Sequence, residues 1–177
     1  VPKYNIPNVY KFSEIINNYN KKKIKNITIS LEDVAFLQYT GGTSGTVKAA
    51  MLTHKNILSN VLQVKEWLGS QLKYGEDIAI CALPLYHIFA LTCNELTFFN
   101  FGANNILITN PRDIKSFVKE LNKHQFTFIS GVNTLFNKLL LEDNFKNYKF
   151  YKLRISLAGG MQVQKDVAEK WQKVTGN

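Results

Sequence analysis

Residues 39–56 read YTGGTSGTVKAAMLTHKN, a cluster of glycines and hydroxyl side chains set between two apolar stretches and followed by one lysine. Gly41, Gly42 and Gly45 permit positive φ and close backbone approach to a ligand. Thr40, Thr43, Ser44 and Thr46 supply hydroxyl donors, and Lys48 adds a point charge. Backbone N–H groups in such a turn converge on an anion, so the segment reads as a phosphate-binding loop. A Walker A loop needs glycine directly before its lysine and Ser or Thr directly after it. Here those neighbours are Val47 and Ala49, so phosphate is held, if at all, by another arrangement.

Outward from the loop, short apolar runs alternate with helical patterns. Val34 to Tyr39 and Ala50 to Leu52 read as strands on either side of it, and Thr53 or His54 opens a helix to about Gln71, with Ile57, Val61, Val64 and Leu68 on one face. Strands are expected at Asp77 to Leu83, Asn105 to Ile108, Phe126 to Ser130 and Leu153 to Ala158. Helices are expected at Tyr86 to Phe99, Asp113 to Lys123, Val132 to Leu141 and Val163 to Val174. This alternation predicts an α/β fold, a layered and mostly parallel sheet with helices on both faces. Ligands on such sheets bind beyond the strand C-termini. The loop, Pro84 to His87, Gly131 to Thr134 and Gly159 to Met161 all follow strands, which places four segments on one rim. Residues 1–30 read as a polar linker segment with a short helix at Phe12 to Tyr19, and residues 31–177 as the α/β domain.

The loop resembles the signature of the adenylate-forming superfamily, the acyl-CoA synthetases, luciferases and peptide-synthetase adenylation domains, usually written YTSGTTGxPKG. The glycine pair and the following MLTH resemble bacterial-type long-chain fatty acid–CoA ligases in particular. Ser44 for threonine keeps the hydroxyl; Ala49 for glycine is a departure that bears on nucleotide binding. LPLYHIFALT at 83–92 resembles the second motif of those ligases, SLAGGMQVQ at 156–164 the strand and turn beside adenine, and FTFISGVNTLFNKLL at 126–140 the strand and helix start along the acyl tunnel.

The resemblance implies an internal fragment of the large N-terminal domain of such a ligase, and a two-step reaction. A fatty carboxylate attacks the α-phosphate of ATP to give an acyl-adenylate and pyrophosphate, and the thiol of coenzyme A then displaces AMP. It assigns Thr40, Gly41, Gly42, Thr43, Ser44, Gly45, Thr46 and Lys48 to the nucleotide phosphates, with Thr40 as a Mg2+ contact. Gly159, Gly160 and Met161 flank adenine, His87 is the catalytic residue that orients the carboxylate or gates the thiol, and Val132 and Thr134 touch the acyl chain. The chain stops before the family's YGxTE motif, its ribose-binding aspartate and its C-terminal domain with the catalytic lysine, so the 177 residues alone are expected not to turn over.

Composition bounds the alternatives. At 177 residues and 45% hydrophobic the chain can bury a sizeable core. The net charge of +9 suggests nucleic acid or an anionic membrane as partner. Nearly all of the 22 basic residues are Lys, however, scattered among Asn, Ile, Phe and Tyr, as a compositional bias would leave them. Nucleic-acid binding also lacks RNP-type aromatics, zinc spacing and an Arg-rich face. Only Lys21, Lys22, Lys23 and Lys25 form a run. It fits a solvated linker, or a peripheral contact with acidic lipid at the inner face of a membrane. Cys81 and Cys93 lie in apolar runs with no metal-ligand spacing, which points to a reduced, cytoplasmic compartment. Val1-Pro2-Lys3 opens no signal-peptide pattern, and no run reaches the roughly 18 uninterrupted apolar residues of a membrane span. One reading from another class stays open beside the ligase: a non-catalytic nucleotide- or acyl-binding module that kept the loop.

Overall fold

The computed structural model describes residues 7–19, 25–40 and 47–177, and residues 1–30 and 31–177 separate as two units. In the first, helix α1 (Phe12–Tyr19) places Phe12, Ile15, Ile16 and Tyr19 on one side at helical spacing, with Lys11 paired to Glu14 at 3.3 Å. Of the lysine run, Lys21, Lys22 and Lys23 lie outside the described residues, and Lys25 is exposed.

The second unit begins with two strands, β1 (Val34–Thr40) and β2 (Lys48–Thr53). They pair antiparallel with Thr40 opposite Lys48 and Gln38 opposite Ala50, and their ladder is irregular between Val34 and Phe36. Among the described residues they pair with each other and not with the larger sheet. β2 runs directly into α2 (His54–Leu68). Thr53 is its N-cap: the hydroxyl accepts from the Asn56 N–H at 3.2 Å, and the Asn56 side-chain Oδ1 accepts from the Thr53 N–H at 3.0 Å. This reciprocal cap, with Asn where Glu or Gln is usual, stabilises the helix start by about 1 kcal/mol. Ile57, Val61 and Leu68 form the buried stripe. The helix is shorter than the sequence pattern suggests because glycine breaks it, and a tight turn at Gly69–Gln71 takes over.

The main sheet has four parallel strands: β3 (Ile78–Cys81), β4 (Asn104–Leu107), β5 (Phe128–Gly131) and β6 (Ile155–Ala158), in the order β4-β3-β5-β6. Alternate residues serve opposite faces. Ile80 and Ile129 pack with Phe117 and Leu121 of α4 (Ile114–Leu121), Leu139 of α5 (Asn133–Leu141), Phe145 of α6 (Asp143–Lys146) and Trp171 of α7 (Lys165–Thr175). Ala79, Phe128 and Ile155 pack on the other face with Leu68 of α2, Phe98 and Phe101. Helices therefore cover both faces, and the central strands are buried on both sides, as parallel strands are. The connection after β3 leads to one neighbour and the chain after β4 returns to the other, so strand order reverses between β3 and β5.

At the N-terminal edge Asp77 is 3% exposed. It accepts from the Thr127 hydroxyl at 2.7 Å and the Lys73 N–H at 2.7 Å, and forms an ion pair with Arg154. Arg154 also donates to the Gln71 carbonyl at 3.0 Å. One carboxylate thus joins the starts of β3, β5 and β6.

The crossover between β3 and β4 differs from a plain helix. It begins at Ile88 rather than Tyr86, because Pro84 to His87 form a turn in which the His87 N–H donates to the Pro84 carbonyl at 3.0 Å. Seven residues, Ala90–Leu96, then adopt the wide π geometry before α3 (Thr97–Asn100) restores the ordinary winding. Thr92 and Thr97 hydroxyls bond the carbonyls of Ile88 and Thr92 at 2.8 and 2.7 Å. Asn94, fully buried, donates to the Ile80 carbonyl at 3.1 Å and accepts from the Ser130 hydroxyl at 2.6 Å. Thr92 and Thr97 are thus satisfied within the segment itself, and Asn94 alone of the three bonds the sheet. Among the described residues no helix is long and apolar enough to cross a membrane.

Candidate functional site

The place where strand order reverses is where open parallel sheets leave a crevice, because the connections on either side depart in opposite directions. The turn after β3 carries Pro84 to His87, and the segment after β5 carries Val132 and Thr134. A cleft of about 230 Å³ lies there, its lining including Leu83, Pro84, Val132, Thr134 and Lys138. Val132 is half-buried and Thr134 exposed.

His87 is exposed, and its Nδ1 accepts from the Phe89 N–H at 3.2 Å, which caps the helix opening one residue on. That bond leaves Nδ1 without its proton and puts the N–H on Nε2, a donor directed away from the cap.

The turn after β6 joins the same rim. The Gly159 N–H donates to the Gly131 carbonyl at 3.1 Å. A Cβ on Gly159 would lie 2.9 Å from the Phe89 ring, so glycine is needed there for the ring to pack. Gly160 has φ +77° and stands beside Val132, whose Cγ1 would meet an added Cβ at 3.6 Å. Met161 is 52% exposed. Three of the four sequence segments therefore meet, with Phe89 between two of them. Phe89 also lines a second cleft of about 390 Å³ with Leu52, Ile57, Ile88, Thr92 and Cys93.

The loop itself, Gly41, Gly42, Thr43, Ser44, Gly45 and Thr46, lies outside the described residues. Its flanks are described: Thr40 and Lys48 are exposed and face each other across the strand pair, and the Thr40 hydroxyl reaches the Lys48 carbonyl at 3.4 Å. Because β1 belongs to the hairpin, the loop springs from a separate pair of strands and not from the parallel sheet. Ala49 sits in the ladder opposite Tyr39 and is absent from the positive-φ positions, so alanine there needs no special backbone. One residue that sequence reading missed links hairpin and rim: Gln38 Nε2 donates to the Tyr86 carbonyl at 2.9 Å. Nothing local in the sequence marks a partner 48 positions away.

Among the described residues, no group of three or more His, Cys, Asp or Glu side chains could hold a metal ion. Thr40 offers one neutral hydroxyl, and Mg2+ bound there would depend on oxygens from a nucleotide.

Burial pushes the Cys81 thiol up to about 11, the negative Glu95 adding to the effect, and burial also raises Cys93. Both are protonated at neutral pH. Iodoacetamide at pH 8 is expected to label them about tenfold or more slowly in the folded chain than in urea, as read by mass spectrometry. The same shift makes stability pH-dependent. Below the ordinary thiol value near 9 neither state ionises; between 9 and 11 only the unfolded thiol loses its proton, so stability declines over that range.

The AMP-binding enzyme family matches residues 5–177 of the chain. The chain belongs to that family. Among curated relatives, this AMP-binding chain is 51% identical to a long-chain-fatty-acid–CoA ligase of Escherichia coli O6:H1 over 99% of its own residues and 31% of the relative's. It is likewise 51% identical to one of Haemophilus influenzae, over 99% of this chain and 32% of that one. The AMP-binding chain thus spans about a third of the length of the relatives it matches. Among solved structures, ATP-bound MatB from Rhodopseudomonas palustris superposes with a TM-score of 0.70 at 27% identity, covering 88% of this chain and 30% of that one.

Proposed function

We propose that the chain forms the phosphate, adenine and acyl-binding part of an AMP-forming long-chain fatty acid–CoA ligase, with residues 31–177 as a partial AMP-binding domain and residues 1–30 as its polar linker. The observation that carries this reading is 51% identity to long-chain ligases across 99% of the chain. The meeting of the Pro84, Gly131 and Gly159 turns at one crevice supports it.

The substrates are ATP, a fatty acid and coenzyme A, with Mg2+ bound alongside the nucleotide. When bound, Mg2+ supplies charge neutralisation at the phosphates. Lys48 and the loop donors bind the β- and γ-phosphates, where charge grows as pyrophosphate leaves, so donors already in place favour the transition state. Thr40 stands at the loop's base. His87 presents its Nε2 proton to the carboxylate and holds it for attack on the α-phosphate. Gly159, Gly160 and Met161 flank the adenine, and the acyl chain enters along Val132 and Thr134. The same proposal has the protein in the cytoplasm, with the basic run around Lys25 meeting the anionic inner face of a membrane.

We propose further that these 177 residues by themselves bind without turning over, since they correspond to about a third of a relative. Calorimetric titration with ATP and with a non-hydrolysable acyl-adenylate analogue is expected to give saturable 1:1 binding of both. Absence of binding by a folded chain would refute the reading, and ATP-dependent acyl-CoA formation by the purified chain would refute the lack of turnover.

A further inference from the structure

From the isolation of the hairpin we infer that Gln38 is a positioning residue, whose amide holds the base of the phosphate loop in fixed relation to His87. Among the described residues β1 and β2 pair only with each other, so no backbone ladder there sets where their loop-proximal end, Thr40 and Lys48, stands relative to the parallel sheet. The opposite end is fixed, because β2 continues through the Thr53 cap into α2, and α2 is buried against the sheet. The tip is a lever arm. Most of its side chains are exposed: Phe36, Leu37, Tyr39 and Met51 are 37, 58, 64 and 70% accessible, whereas Gln38 is half-buried.

Gln38 sits two residues before Thr40 and opposite Ala50, whose small side chain leaves the amide room. It donates to the Tyr86 carbonyl at 2.9 Å and to the Tyr39 carbonyl at 3.2 Å. Tyr86 is inside the turn that the His87 N–H closes onto Pro84. A single amide therefore spans from the strand that enters the loop to the turn that presents the imidazole. Transfer of a carboxylate onto a phosphate requires the groups holding each to keep their spacing to a fraction of an ångström. Gln38 touches neither substrate and acts through Tyr86. The functional consequence rests on the ligase reading; the tie does not.

The test uses the three histidines as reporters, with 13C and 15N NMR of the imidazoles and the Phe89 amide in the intact chain. Gln38→Glu keeps shape but removes the donor and sets a carboxylate against the Tyr86 carbonyl; Gln38→Leu removes both. In ligand-free protein the His87 ring and Phe89 amide signals are expected to move in both variants while those of His124 stay. Gln63→Glu, an exposed change adding the same charge, is expected to leave all of them in place. In the parent chain, inorganic pyrophosphate is expected to shift the His87 signal; both Gln38 variants lose that shift while the pyrophosphate Kd changes less than twofold. Unmoved His87 and Phe89 signals in ligand-free Gln38→Glu overturn the inference. Failure of pyrophosphate to bind the parent chain refutes the phosphate-site reading instead, and the ligand-free comparison still decides the tie.

Discussion

Lys48→Ala is expected to weaken ATP binding between about tenfold and a hundredfold, the range of one charge-assisted hydrogen bond to phosphate. Lys48 is exposed, and among the described residues it enters no ion pair, so its ammonium is available to a ligand. Its structural work is done by its backbone, which pairs with Thr40 and offers the carbonyl that the Thr40 hydroxyl reaches. Alanine keeps both. Thermal unfolding is therefore expected to change by no more than about 0.5 kcal/mol, as for a surface substitution away from any special feature. Lys48→Arg keeps the charge but spreads it over a planar fork, and is expected to recover only part of the affinity. Calorimetry of the variants against ATP and against AMP separates the contributions: the loss is expected for ATP and to be small for AMP, which lacks the outer phosphates. An equal loss for both would place Lys48 elsewhere in the site.

The largest effect on stability is expected at Asp77. Asp77→Ala leaves the Thr127 hydroxyl, the Lys73 N–H and the Arg154 guanidinium without their shared acceptor. Removing one member of a buried ion pair costs about 3 to 5 kcal/mol. The Arg154 side chain is 27% exposed and can turn partly to water, which favours the lower end. Against a total stability of about 5 to 15 kcal/mol for a domain, that is a large fraction. Asp77→Asn keeps an acceptor for Thr127 and Lys73 while losing the charge, and is expected to cost roughly half as much. Urea denaturation of the three proteins checks the order. A cost below about 1 kcal/mol for Asp77→Ala would mean that Arg154, and not the carboxylate, holds the strand starts together.

Much of this architecture was legible in the residues. β3 and β6 fall within the predicted runs and β5 overlaps its own, ending one residue later at Gly131, because buried strands leave an apolar signature, and α2, α4, α5 and α7 carry helical periodicity. The hairpin was harder. VAFLQY looks like the other strands, and nothing in its letters tells that, among the described residues, it pairs with its neighbour and not with the parallel sheet. α6 was missed because four residues are too few to show a period. The π turns were missed because Thr92, Asn94 and Thr97 read as polar positions of an ordinary helix; Asn94 is bonded by partners in β3 and β5, and the two threonines by carbonyls of their own segment. At the site, His87 and the glycine turns could be picked out by motif. Phe89 and Gln38 could not, since each matters through a contact distant in sequence.

The π winding of Ala90–Leu96 also turns residue count into a structural quantity. An α-helix advances about 100° per residue, and π winding, with more residues per turn, advances less, so about six α residues sweep nearly the angle of these seven. A one-residue deletion inside this stretch is therefore expected to relax into ordinary α winding and leave Phe89 upstream and α3 downstream close to their present phase. It would displace the interior of the stretch, where Asn94 now bonds both Ile80 and Ser130. The winding thus uncouples the polar contacts inside the stretch from the phase of its two ends, and a change of length here would act on the former and spare the latter.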